Sequence, residues 1–172
     1  MRTSNNLVTV NFPKATGAGA ACLYQCGKLK SVNMPKLQEV PTEAFGSCKV
    51  LANVHIPEAT SILGSAFSTD YALAKIDLPK VTTIDSNAFS SCSKLKILIL
   101  RHSEGVVTLK NKNALNATLI YRKTTGYVYV PAALLEDYKV ATNWSTYATQ
   151  FRALEDYTVD GTVTGELDES KL

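Results

Sequence analysis

The sequence predicts an α/β repeat fold: a solenoid of about five 22-residue coils with a parallel sheet, closed by a small α+β C-terminal cap. Three observations predict it. Leu7, Leu29, Leu51, Leu73 and Leu95 stand 22 residues apart, and the same step carries Val10, Val32, Val54, Ile76 and Leu98. Proline recurs in register at Pro13, Pro35, Pro57 and Pro79. After Arg101 the period is lost and the aromatic residues change kind. A fixed internal period is the signature of stacked units, each too small to bury its own apolar face.

Each unit opens on a strand. Ser31-Val32-Asn33-Met34 alternates polar and apolar residues, the period of a half-buried strand. Proline cannot donate a ladder hydrogen bond, so its recurrence marks the corner where the strand leaves the sheet; the fifth unit has Arg101 there instead. A second apolar column follows at Ala18, Val40, Ile62 and Ile84. Ala44-Phe45, Ala66-Phe67 and Ala88-Phe89 mark the return on the opposite side as a short turn or 3₁₀ stretch, with phenylalanine filling the coil. The unit closes on Cys26, Cys48, Asp70 and Cys92, three positions beyond the aromatic column. Stacking in register buries these columns between neighbours, so stability grows as a sum of nearest-neighbour terms.

A unit that begins L-x-x-V-x-(apolar)-P and ends A-F-x-x-C resembles the BspA-like leucine-rich repeats of bacterial surface proteins, over residues 7–101. That resemblance implies a leucine-rich-repeat solenoid and a binding or adhesion role, with no catalytic centre, cofactor or metal. The first unit departs from the pattern: Cys22-Leu23 replaces Ala-Phe, and Gly17-Ala18-Gly19-Ala20-Ala21 suggests a degenerate far side.

Residues 1–101 are thus read as the solenoid, with units starting at Leu7, Leu29, Leu51, Leu73 and Leu95. Residues 102–158 form the capping module and 159–172 an acidic flexible tail. In the cap, Thr118–Tyr121 and Gly126–Val130 read as strands. Pro131 suits a first helical turn, with Leu134, Leu135 and Tyr138 at helical spacing. Asn143 is placed to cap a second helix striped by Trp144, Tyr147, Ala148, Phe151 and Leu154. The run from Tyr127 to Tyr138, with Trp144 beyond, also resembles the closing segment that follows such repeats in bacterial and prophage-encoded relatives. A last coil exposes an apolar end, and the cap covers it. The first coil has no obvious cover, so its Val10/Phe12 end is expected to meet further repeats or another copy of the chain.

Charge and composition exclude several classes. The net charge of +3 divides into 11 Lys/Arg against 6 Asp/Glu before residue 102 and 7 against 9 after it. The lysines are spread among acids such as Glu39, Glu58 and Asp77, unlike the dense basic stripe of a nucleic-acid binder. No apolar run is long enough to span or insert into a membrane, and Met1–Asn6 lacks the apolar stretch of an export signal. Any signal therefore lies outside this chain.

Cys26, Cys48 and Cys92 occupy one column, so they stack along the solenoid and do not converge as zinc ligands must. They read as small buried hydrophobes, although coils about 4.8 Å apart would admit a Cys26–Cys48 disulfide. His55 and His102 have no nucleophile and acid placed to serve them. The Tyr and Trp residues after Arg101 have the spacing of a packed core, with sugar stacking as the alternative.

The expected binding surface is the outward strand face: Thr9, Asn11, Ser31, Asn33, Asn53, His55, Lys75 and Asp77. Ile97 and Ile99 break its polar trend and are expected to meet the cap. Five such strands give a footprint on the order of 300 Å², against about 800 Å² per side for a standard protein complex. The adjoining corners must contribute, or the ligand is small. The function expected is a non-catalytic binding or adhesion module for a host or bacterial surface protein or glycan, extracellular or at the cell surface. A tail-associated prophage virion component, structural or for host recognition, is the alternative.

Overall fold

The computed structural model describes residues 6–159 and 162–163, with side chains described for 6–157. Of the expected acidic tail, only the backbone of Val159, Thr162 and Val163 is among them. In chain order the strands are β1 (Thr9–Asn11), β2 (Ser31–Asn33), β3 (Glu39–Val40), β4 (Asn53–His55), β5 (Ser61–Ile62), β6 (Lys75–Leu78) and β7 (Thr83–Ile84). They continue with β8 (Ile97–Leu100), β9 (Thr108–Leu109), β10 (Tyr127–Val130), β11 (Phe151–Ala153), β12 (Thr158–Val159) and β13 (Thr162–Val163); the single α-helix among the described residues is α1 (Leu135–Val140).

The coils stack as the period requires. On the first face β1, β2 and β4 pair in parallel, with Val10, Val32 and Val54 in one row. Beyond them β6, β8, β10 and β11 form a second parallel group that places Ile76, Leu98, Val128 and Phe151 in one row. A second face is an unbroken parallel sheet, β3-β5-β7-β9, built on the column Val40, Ile62, Ile84 and Leu109. The interior is apolar: Leu29, Leu51, Leu73 and Leu95 are fully buried, as are Phe45, Phe67 and Phe89. Those three rings stack with centroids 5.3 and 5.4 Å apart, so each coil seats its aromatic on the next.

The return side has no regular strand, and its main chain is held another way. Two residues per coil adopt left-handed backbone, in the columns Ala21, Glu43, Ser65, Asn87 and Gln25, Ser47, Thr69, Ser91. This conformation turns their N–H groups along the stack. Ser47 N–H reaches Ser68 C=O and Thr69 N–H reaches Ser90 C=O, at 2.7 and 2.8 Å. None of the eight is glycine, and Thr69, at φ 70°, is β-branched, where the strain is greatest. Thr69→Gly should therefore stabilise the chain by about 0.5–1 kcal/mol, the relief of strain exceeding the extra chain entropy of glycine. Urea denaturation reads the shift; an unchanged or lower midpoint would count against it.

Cys26, Cys48 and Cys92 are buried and Cys22 is exposed, all as free thiols. The buried thiols act as donors along the stack: Cys48 Sγ to Leu23 C=O at 3.1 Å and Cys92 Sγ to Phe67 C=O at 3.0 Å. Burial pushes the Cys48 thiol up to about 12 and the Cys92 thiol up as well, the nearby Asp70 carboxyl adding to both.

The region after Arg101 differs from its expected form. The period ends there, but strand pairing does not: β10 and β11 continue the first-face sheet as further rungs. Thr118–Tyr121 is a turn, not a strand, because the Thr118 hydroxyl donates to Leu115 C=O and accepts from Tyr121 N–H. The second helix is a kinked 3₁₀ segment, Trp144–Gln150, and Phe151 belongs to β11. Asn143 does not cap it: its φ is 65°, and its side-chain amide donates to Leu109 C=O. Tyr138, Trp144 and Tyr147 are the buried centre of this region. The Tyr138 hydroxyl accepts from Val107 N–H, Trp144 Nε1 donates to Val107 C=O, and the Tyr147 hydroxyl donates to Lys112 C=O. The cap is thus a clamp closed over the main chain of residues 107–112.

Candidate functional site

The strands bring the expected face residues into two outward columns. Thr9, Ser31 and Asn53 stand in one row and Asn11, Asn33 and His55 in the other, flanking the inward valines. The rows are tied by side chains: Ser31 Oγ donates to Thr9 Oγ1 at 3.1 Å, and Asn33 Nδ2 donates to Asn11 Oδ1 at 3.0 Å. Among the described residues each Asn has further amide donors and acceptors without a side-chain partner, able to meet a ligand. Lys75 and Asp77 continue the two rows on β6, opposite Ile97 and Ile99 of β8.

The face is not uniform. Asp77 is engaged within the fold, since Arg101 Nε and Nη2 donate to its carboxylate at 2.9–3.1 Å as a half-buried bidentate pair. Arg101 holds the place of the missing proline, so loss of the corner residue supplies the partner. Over β8 and β10 the face is covered: Ile99 and Tyr157 are buried together, with Ile97, Tyr129 and Leu154 packed against them. Tyr157 meets Tyr129 edge-on at 4.8 Å, and Arg152 lies 4.2 Å over the Tyr127 ring. Ile97 and Ile99 are therefore a docking patch for the C-terminal segment, and Tyr127 is a face residue, not the centre of the cap. At the other end Val10, expected at the exposed edge with Phe12, is buried, whereas Phe12 is 53% exposed and Val8 is exposed beside it.

Toward the boundary of the polar and the covered halves lies a crevice of about 730 Å³, lined by residues of β2, β4 and β6 and by Arg101. His55, Lys75 and Asn53 stand on its rim, and Ala52, Val54 and Ala74 lie along it. The volume is in the range of ligand clefts, about 300–1,000 Å³. Sequence reasoning placed residues on both sides of it without finding the opening itself. The only trace in the chain is one column: Lys30 and Lys96 flank the region, and Ala52 and Ala74 replace them within it.

Residues 2–121 match the BspA-type leucine-rich repeat in six copies. The chain belongs to the BspA-type leucine-rich repeat family. The match runs past residue 101 into the turn that precedes β10, in agreement with continued strand pairing. Among solved structures, this repeat protein is similar to the pneumococcal vaccine antigen PcpA, at 13% identity and a TM-score of 0.53, over 89% of this chain and 41% of that one. It is also similar to a leucine-rich repeat protein from Bacteroides ovatus ATCC 8483, at 19% identity and a TM-score of 0.47, over 75% of this chain and 49% of that one. The chain thus spans less than half the length of either. No curated protein matches it.

Proposed function

We propose that this BspA-type repeat chain is a non-catalytic binding module, displayed extracellularly or at a cell surface, that recognises a protein or glycan through its polar strand face. The observation that supports this most directly is the division of the face. Its β8–β10 half is sealed by Leu154 and Tyr157, whereas β1, β2 and β4 present ordered polar rows that end in an open crevice. Shared fold with a vaccine antigen agrees with surface display. Among the described residues no three His, Cys, Asp or Glu side chains group as metal ligands, and no helix is long and apolar enough to cross a membrane.

The test is a glycan and host-protein array probed with the chain and with Asn33→Arg/His55→Arg, whose outward positions spare the core. Bound spots should weaken at least tenfold in the double variant at unchanged melting temperature. Binding that survives the double variant would remove the strand face from the reading.

A further inference from the structure

Among the described residues the first-face ladder is broken at one rung only. Lys30 N–H donates to Val8 C=O, Ala52 N–H to Lys30 C=O, Lys96 N–H to Ala74 C=O and Tyr127 N–H to Lys96 C=O. The member missing from this column is Ala74 N–H to Ala52 C=O. A second column runs Phe12 N–H to Asn33 C=O and Met34 N–H to His55 C=O, and its next member, Ile56 N–H to Asp77 C=O, is missing at the same place. Among the described residues no strand pairing joins β4 to β6. The same two coils remain bonded elsewhere: Thr82 N–H to Thr60 C=O on the second face, and Phe67 N–H to Ala88 C=O on the return side. The stack is closed on two sides and parted on the third.

A parted ladder presents two strand edges, each with main-chain donors and acceptors at strand spacing that have no partner among the described residues. Such groups are costly when left unmet away from water, so an edge of this kind is a template for another strand. The crevice of about 730 Å³ lies on this gap. Alanines at 52, 72 and 74 leave open the space that lysine stems would fill. Lys75 stands on the rim and forms no ion pair among the described residues, while the Asp77 charge is met by Arg101. The local balance therefore favours a carboxylate.

We infer that the parted rung between β4 and β6 receives an extended peptide segment of a partner protein, bearing an acidic side chain toward Lys75. Cα atoms of β4 and β6 still approach within 8 Å, closer than the roughly 9.6 Å that an inserted strand requires, so the rung must widen as the segment enters. Main-chain pairing to the edges then supplies the affinity and Lys75 the selectivity, the mode of strand addition. The walls are three and four residues long, so the segment read is of similar length. This deepens the proposed binding role and rests on it.

The experiment uses the full chain and the fluorescent probe acetyl-Thr-Val-Glu-Val-Thr-amide, beside the same peptide N-methylated at alternate amides. Fluorescence anisotropy should show binding of the first and at least tenfold weaker binding of the second, which keeps every side chain but loses main-chain donors. Lys75→Glu should weaken the acidic probe about tenfold. Amide exchange at Ile56 and Ala74 should be fast in the free chain and slow with the probe. Equal binding of the methylated peptide, no binding at millimolar probe, or slow exchange of both amides in the free chain would each overturn the inference. Array ligands that depend on Asn33 and His55 while the probe fails to bind would leave the proposed function standing and remove only the peptide. A glycan that alone protects Ile56 and Ala74 would assign the crevice to sugar and overturn the inference as well.

Discussion

Asp70→Cys should stabilise the chain by about 2–4 kcal/mol at pH 7 and remove a fall in stability between mildly acidic and alkaline pH. Asp70 is fully buried in the cysteine column. Its Oδ1 accepts from Cys48 N–H at 2.8 Å, and its Oδ2 is buried without a hydrogen-bond partner. Burial drives the carboxyl from the ordinary 3.8 up to about 9, against a small lowering by the Cys48 N–H bond, so the folded chain holds it protonated at neutral pH. An acid that keeps its proton when folded and loses it when unfolded makes stability fall as pH rises. The loss begins near the unfolded value and is complete above about 9. At about 1.4 kcal/mol per pH unit, the interval up to pH 7 is worth about 4 kcal/mol, and mutational costs of unmet buried polar groups, about 1–3 kcal/mol, suggest a smaller figure. Cysteine restores the donor found at 48 and 92 and carries no charge. Urea denaturation of both chains at pH 5, 7 and 9 tests this as a difference curve. Asp85 and Glu58, held low by hydrogen bonds from Lys110 and Lys80, impose the opposite slope on both chains and cancel. A difference that does not grow with pH, or a destabilised variant, would sink it.

What could be read from the chain followed from stacking, and what could not followed from main-chain geometry. Leu29, Val32, Val40 and Phe45 were legible because each coil offers its neighbour the same environment, so the same residue type returns after 22 positions. The buried cysteines were legible for the same reason. Lys75 and Asp77 continue the outward rows, but the Arg101 fork that engages Asp77 reaches back across the stack and has no local signature. The parted rung is a matter of hydrogen bonds that fail to form between backbones, and side-chain periodicity is blind to it; β4 and β6 keep their strand pattern on either side of the gap. Asn143 illustrates a different failure. Asn before a helix is a cap by local rule, but the Leu109 carbonyl competes for its amide and wins.

The sixth first-face strand shows the two levels in conflict, and one glycine resolves them. A further 22-residue step from Ile97 falls on Leu119, where a strand was expected, yet the residue that pairs with Ile97 is Tyr127. The chain leaves the ladder at Leu119, whose N–H donates to Leu95 C=O, and rejoins it at Tyr127, whose N–H donates to the next carbonyl, Lys96 C=O. Residues 120–126 are an excursion whose two ends are nearly in contact. Gly126 makes that approach feasible: a Cβ there would lie 2.3 Å from Ile120 N and 2.5 Å from Leu119 C, with only backbone to yield. Gly126→Ala should therefore cost about 3 kcal/mol, at the upper end of what overpacking causes. The loss should be local, because stacked coils couple only to their neighbours. Gly126 C=O also accepts from Gln150 Nε2, and the clamp around Trp144 follows directly. Trp144 is the only tryptophan in the chain, so its fluorescence reports the cap alone. Its transition should move to lower urea in Gly126→Ala, while exchange protection at Leu51 and Phe67 stays near wild type. A tryptophan transition at the wild-type midpoint would mean that the excursion has room for a side chain and that a different feature displaces the strand from Leu119 to Tyr127.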